Sequence, residues 1–420
     1  MLETQQAVPP PASAPRPDSW RTVAAAMFVC GWGGNQFTPL LLMYRQLGGY
    51  SALSVDAFLG AYVVGLVPGL LLAGPVSDRR GRRPVLVAGT VASAVASLVL
   101  CFGGQSAWPI YAGRLITGIA VGIAMSVGSS WVKELATEDD SGLPARRASL
   151  CQTAGFGLGA GVAGVAAQWG PWPMVTPYGV HLLLTLAIPV LLLRVPETRP
   201  PLPHTAGLRE LLTTLVNDLR VPAPARKRFR LVVLPMAPWV FGSAGLAYAV
   251  MPQLVGSHVG HWGLVYATGL TVLTLGMGAA VQPVAKKLHS GTGTRAGRAP
   301  VAAMTVMLLG AALCAANAVL LSPWLAAAAA AVLGAGYGIA VVSGLLEIQR
   351  MAGADDLAGL TGVYYTFAYA GFLLPTVLAT LSRWLSYPVM LTAVAAAALV
   401  CLGLVVTGAR VTATAASATK

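Results

Sequence analysis

Charge is what this sequence lacks most. Only 10% of its 420 residues are Asp, Glu, Lys or Arg, while 56% are hydrophobic and the mean hydropathy is +0.71. Soluble domains carry about 25% charged residues, so a water-soluble globule is excluded. Acids are scarcest, 14 against 27 Lys and Arg, and they lie in tails, loops or the ends of apolar runs. No His, carboxylate or nucleophile constellation gathers at one depth, which disfavours an enzyme. The five cysteines, Cys30, Cys101, Cys151, Cys314 and Cys401, all fall inside apolar runs without paired spacing, which argues against a disulfide framework or a metal site. Strand-like alternation is missing too, so lipid-exposed backbone must be satisfied as helix. Residues 1–19 are Pro-rich and polar and lack the basic, apolar and small-residue order of a cleaved leader.

What is present is a series of twelve apolar runs near 22–44, 53–75, 84–103, 109–133, 147–169, 173–195, 231–254, 262–285, 300–321, 324–347, 358–381 and 387–408. Each approaches the ~20 residues that span a bilayer as helix. The closest pairs are separated at Gly170-Pro171 and Ser322-Pro323, which punctuate turns. With the N-terminus in the cytoplasm, 24 of the 27 basic residues fall on cytoplasmic segments, leaving Arg45 and Arg383 outside and Arg114 within a span. That bias sets orientation and assigns the +13 net charge to topology rather than to nucleic acid.

The two halves echo each other. Pro75-Val76-Ser77-Asp78-Arg79 corresponds to Pro283-Val284-Ala285-Lys286-Lys287 at an offset of 208, and Glu134 to Glu347 at 213. The expectation is an all-α membrane protein of twelve transmembrane helices in two pseudo-symmetric six-helix bundles. A disordered tail occupies 1–19, the first bundle 20–195, a cytoplasmic linker 196–230, the second bundle 231–409 and a tail 410–420.

The stretch GPVSDRRGRRP at 74–84 sets one acid among four arginines between two apolar runs. Its Gly74, Asp78, Arg79, Gly81, Arg82 and Arg83 resemble the signature loop between helices two and three of the major facilitator superfamily. Arg114-x-x-x-Gly118-x-x-x-Gly122 is similar to that family's second motif. Glu134, Arg146, Arg147 and the Pro196-Glu197-Thr198-Arg199 segment resemble the cytoplasmic charge set of sugar-porter members. Gly155, Gly157, Gly159, Gly161 and Gly164 resemble the glycine-rich motif of drug/proton antiporters without its Gly-Pro pair. The resemblance implies that the signature loop latches one conformation against the start of helix eleven, here Asp355 and Asp356, with Arg79 or Arg82 bridging the acids.

Intramembrane charge is the best functional pointer. Arg114 and Asp56 are the coupling candidates, and Glu347 joins Glu134 in the inner-end charge network, with Arg146, Arg147 and Arg350 as partners. Asn35, Gln36, Gln152, Trp239, Tyr248, Tyr337, Tyr364, Tyr365 and Tyr369 are cavity candidates, whereas His181 reads as a packed histidine. The expected function is secondary transport of a small organic solute by alternating access in the cytoplasmic membrane, favouring proton-coupled efflux of a drug-like compound or metabolite. Uptake or facilitated diffusion of a sugar-like solute is the alternative, a solute sensor a lesser one. The partners expected are the solute, protons and the bilayer, with a monomeric chain and no cofactor or metal.

Overall fold

The computed structural model describes residues 19–135, 143–201, 221–289, 298–351 and 357–418. Asp355, Asp356, the Arg146 side chain, residues 1–18 and 419–420 of the two tails and residues 202–220 of the linker lie outside them. Every regular element described is helical. Twelve legs run back and forth: α1 (19–46), α2 (Ala52–Arg80), α3 (Arg82–Leu100), α4 (Ala107–Leu135), α5 (Leu143–Trp169), α6 (Thr176–Leu192), α7 (226–259), α8 (263–289), α9 (Arg298–Leu320), α10 (Pro323–Met351), α11 (357–381) and α12 (Tyr387–Ala418).

Nine continuous helices among the described residues are long and apolar enough to cross a membrane. One of them, Arg226–Leu288, reverses at Gly260, where φ is +56°, and so supplies two legs. α1 misses that test because Pro39, which has no N–H to donate, stops its regular helix at Asn35; a 3₁₀ turn at Thr38–Leu40 restarts it. α7 begins at Arg226, five residues ahead of the apolar run at 231, and its first turns are basic and so fall outside that run.

The packing repeats with a step of six helices. In the first half α2 packs on α4, α1 on α5, and α3 on α4 and α6; in the second α8 packs on α10, α7 on α11, and α9 on α10 and α12. Small residues permit the closest approaches. Cβ atoms at Gly118 or Gly122 of α4 would stand 2.7 Å from the Leu66 nitrogen and oxygen of α2, respectively. The second half repeats the device where Gly334 and Gly338 of α10 meet Thr274 and Gly278 of α8.

The glycine run of α5 serves two faces. Gly155 and Gly159 lie on the α1 backbone at Phe28–Trp32, while Gly161 and Gly164 face Val272 and Thr268 of α8. Thus α5 with α8, and α2 with α11, join the halves.

Two substitutions separate packing from helix propensity. Gly118→Val should destabilise the purified protein by ~3 kcal/mol or more through overpacking, whereas Gly157→Ala, with nothing within 4 Å of the new Cβ, should stay within about 0.5 kcal/mol. Thermal unfolding in detergent measures both, and equal losses would contradict the backbone approach.

Candidate functional site

The break in α1 prepares a site for α4. Where the helix stops, Thr38 Oγ1 donates to Asn35 Oδ1 at 2.7 Å and Asn35 Nδ2 donates to the Phe156 carbonyl at 3.1 Å, tying the break to α5. Arg114, 1% exposed, reaches this region from α4. Its Nη1 donates to the Gly34 carbonyl at 3.2 Å and its Nε to the Phe58 carbonyl at 3.4 Å. The guanidinium carbon lies 4.6 Å from the Phe37 ring centre and 4.5 Å from that of Tyr62, a double cation–π arrangement.

Among the described residues no carboxylate pairs with Arg114. Its Nη2 has no hydrogen-bond partner there, is not among the sealed unpaired atoms, and belongs to a residue lining a cavity between the halves. Carbonyls and ring faces offset part of the desolvation cost of a buried cation, which runs to several kcal/mol. An anion would complete the set.

The cavity and the solvent space it opens to together amount to about 430 Å³. The first half contributes Gly34, Asn35, Thr38, Leu59, Tyr62, Arg114 and Phe156, and the second Phe241, Tyr248, Leu275, Tyr337, Tyr369 and Phe372. Phe241 stacks on Tyr369 at 4.0 Å and on Phe372 at 4.8 Å, forming an aromatic slab from α7 and α11. Tyr248 sits in a π-helical turn at Leu246–Val250, a distortion common at functional sites.

Asn35, Tyr248, Tyr337 and Tyr369 therefore line the cavity, and the other candidates do not. Gln36 turns into the first half, donating to Ser97 Oγ at 3.0 Å, and Ser97 meets His181 Nδ1 at 2.6 Å. His181 Nε2 contacts the Val29 carbonyl at 2.8 Å, so the ring is packed and polar-satisfied. Gln152 is buried one turn from Phe156 with its amide unpaired. Trp239 belongs to the second half's apolar core, Tyr364 donates to the Ala340 carbonyl, and Tyr365 lies beside Tyr369. Phe241 and Phe372 are cavity residues that a search for polar side chains passes over, and Tyr62 joins them in the lining although its hydroxyl gives it a polar atom. Phe241 is seven residues before Tyr248 and Phe372 three after Tyr369, the spacings that share a helix face.

At the Asp78 end, Arg82 is the hub. It meets Asp78 Oδ1 at 2.8 Å, Glu134 Oε1 at 2.9 Å and Ser77 Oγ at 2.5 Å. Glu197 accepts the Arg82 and Arg83 backbone N–H groups at 2.8 and 2.9 Å, at the positive end of α3. Gly81 takes φ +98° over that carboxylate, where a Cβ would meet Glu197 Oε2 at 2.6 Å. Thr198 donates to Glu134, whose other cation is Arg199 at 3.8 Å, while Arg147 lies over the Trp20 ring at 4.4 Å. Glu347 takes Arg228 at 2.5 Å and Arg350 at 3.6 Å.

At the opposite end the halves are bound together. Arg45 Nη1 donates to Gln253 Oε1 at 2.8 Å, Gln253 Nε2 donates to Asp56 Oδ1 at 3.1 Å, and Thr376 Oγ1 donates to the Asp56 carbonyl at 2.8 Å. Asp56 thus meets α7 and α11 rather than Arg114. Residues 45 and 253 lie 208 apart, the offset of the internal repeat, so the contact joins equivalent points across the pseudo-two-fold axis.

The Major Facilitator Superfamily model matches residues 22–376. The chain belongs to this superfamily. It is 33% identical over 157 residues to the gallate transporter of Pseudomonas putida, covering 36% of this chain and 33% of that protein. It is 33% identical over 192 residues to the 4-hydroxybenzoate transporter PcaK of Pseudomonas aeruginosa, covering 43% and 41%. The chain thus spans less than half the length of these relatives. A crystal structure of a POT family transporter in complex with 5-aminolevulinic acid shares the fold, with TM-score 0.76 at 12% identity over 94% of this chain and 96% of that one.

In this superfamily fold the described hydrogen bonds between halves lie at the Asp56 end, where Gln168 also donates to the His261 carbonyl, and at mid-depth, where Tyr369 donates to Met125. The conformation is bound shut at the Asp56 end. Gln253→Leu removes both side-chain bonds of the bridge, each worth about 1.5–3 kcal/mol when one partner is charged. Spin labels at Ser51 and His258 should then show a longer, broader distance distribution, and Asp56→Asn, which keeps an acceptor, a smaller change. An unchanged distribution in Gln253→Leu would show that the bridge does not hold this end.

Proposed function

We propose that this chain is a secondary transporter of the cytoplasmic membrane that carries a small organic anion with an aromatic body by alternating access. The single observation that carries the reading is Arg114, whose free guanidinium edge faces the cavity without a carboxylate partner among the described residues. A cation so held attracts a carboxylate, and the Phe241 slab receives a flat ring. The names of two relatives, transporters of gallate and of 4-hydroxybenzoate, support the same chemistry.

The basic bias places the Asp78 end and both termini in the cytoplasm, so the conformation is closed outside and inward-facing. Asp78 bonds Arg82 and its side chain is half-exposed, at the end of the bundle where the latch would act. Protons are the coupling ion and Asp56 their carrier, because Arg remains protonated in proteins and Asp56 links α2 to α7 and α11. The chain works as a monomer, since the cavity is built from its own two halves.

Export of an uncharged drug-like compound is the second reading, favoured by the seven aromatic residues among the thirteen that line the cavity. Arg114 decides between the two. In vesicles, Arg114→Gln should lower benzoate binding and pH-gradient-driven transport at least ~10-fold and Arg114→Lys less, while thermal unfolding verifies that each variant is folded. Benzamide separates the readings: parent protein that binds benzamide as well as benzoate, with no loss in Arg114→Gln, would retire the anion reading.

A further inference from the structure

The second half's wall of the cavity holds unspent hydrogen-bonding capacity. Tyr248 is 97% buried, its relative exposure being 3%, and Tyr337 lies nearby on α10. Both line the cavity, and among the described residues neither hydroxyl has a hydrogen-bond partner or counts among the sealed unpaired atoms. Buried phenols away from the cavity are satisfied: Tyr364 donates to the Ala340 carbonyl at 3.1 Å, and Tyr44 bonds Tyr178 at 2.8 Å. Tyr62, on the first half's wall beside Arg114, likewise has no hydrogen-bond partner among the described residues, so that wall keeps a hydroxyl of its own. The Tyr337 ring is held from two sides, by Phe241 at 5.7 Å and by Gly278, where a Cβ would lie 2.5 Å from it. Its hydroxyl is therefore fixed in place without being used.

We infer that Tyr248 and Tyr337 form a second polar subsite that reads a hydroxyl group on the solute's far end, so that the substrate is a monoanionic hydroxyarene carboxylate bridging the two halves. The inference rests on the anion reading of Arg114 and adds what the opposite wall selects. A phenol both donates and accepts, and a solute hydroxyl does the same. Among the described residues that line the cavity Arg114 alone is charged, so a second carboxylate or an ammonium group on the solute would be buried without a counter-charge from them. An unsubstituted ring would leave both tyrosine hydroxyls unpaired, which is how a polar site rejects the analogue that lacks the group. Anchored to α4 in one half and to α7 and α10 in the other, such a solute would couple its own binding to the approach of the halves.

The test titrates benzoate, 3-hydroxybenzoate and 4-hydroxybenzoate into the purified full-length protein by calorimetry. At least one hydroxybenzoate should bind the parent ~10-fold tighter than benzoate. Tyr248→Phe and Tyr337→Phe, which keep the rings, should each shrink that ratio toward one, whereas Tyr364→Phe should leave it as in the parent. A parent that binds benzoate and both hydroxybenzoates equally, or a preference untouched by both Phe variants, overturns the subsite while the anion reading stands. Failure of all three carboxylates to bind overturns both.

Discussion

A buried guanidinium held by carbonyls and ring faces organises this molecule. Arg114 draws α1, α2 and α4 to one point through the Gly34 and Phe58 carbonyls and the Phe37 and Tyr62 rings. That geometry needs α1 to be broken, so Pro39 and the Asn35–Thr38 bond belong to the same construction. It also needs α2 and α4 in backbone contact, which the glycines at 65, 69, 118 and 122 permit. The cation remains electrostatically incomplete, and a site incomplete in one charge can take up and release a ligand of the opposite charge.

Around this centre the two ends of the bundle differ in chemistry. At the Asp78 end, charges are paired within each half, Arg82 with Asp78 and Glu134 in the first and Arg228 with Glu347 in the second. At the Asp56 end, side chains pair across the halves through Gln253. A neutral amide between Arg45 and Asp56 binds each group less strongly than a direct ion pair would. Such a bridge suits a contact that must break in every transport cycle.

The twelve legs are legible in the sequence because bilayer-spanning hydropathy requires no knowledge of contacts, and Arg114 stands out because charge inside an apolar run is rare. The rotation of each leg is far less legible, since helices that are apolar all round give no face to read. Hence Gln36 and Gln152, polar and plausible, turn into packing, while Phe241 and Phe372, lacking a polar atom, line the cavity. The Asp56 bridge is hidden for another reason. Its partners come from α1, α7 and α11, up to 320 residues apart, and only the 208-residue offset between Arg45 and Gln253 hints at their meeting. The loop at 74–84 is legible as a charged motif, yet the dominance of Arg82 over Arg79 depends on where Glu134 and Glu197 arrive in space.

The central claim is that Arg114 is the solute's counter-ion, and an experimental structure of the protein with 4-hydroxybenzoate bound tests it most directly. The account predicts the carboxylate within hydrogen-bond distance of Arg114 Nη2, with the ring against Phe241. A carboxylate bound elsewhere, with the guanidinium still engaged only by the Gly34 and Phe58 carbonyls, would contradict it.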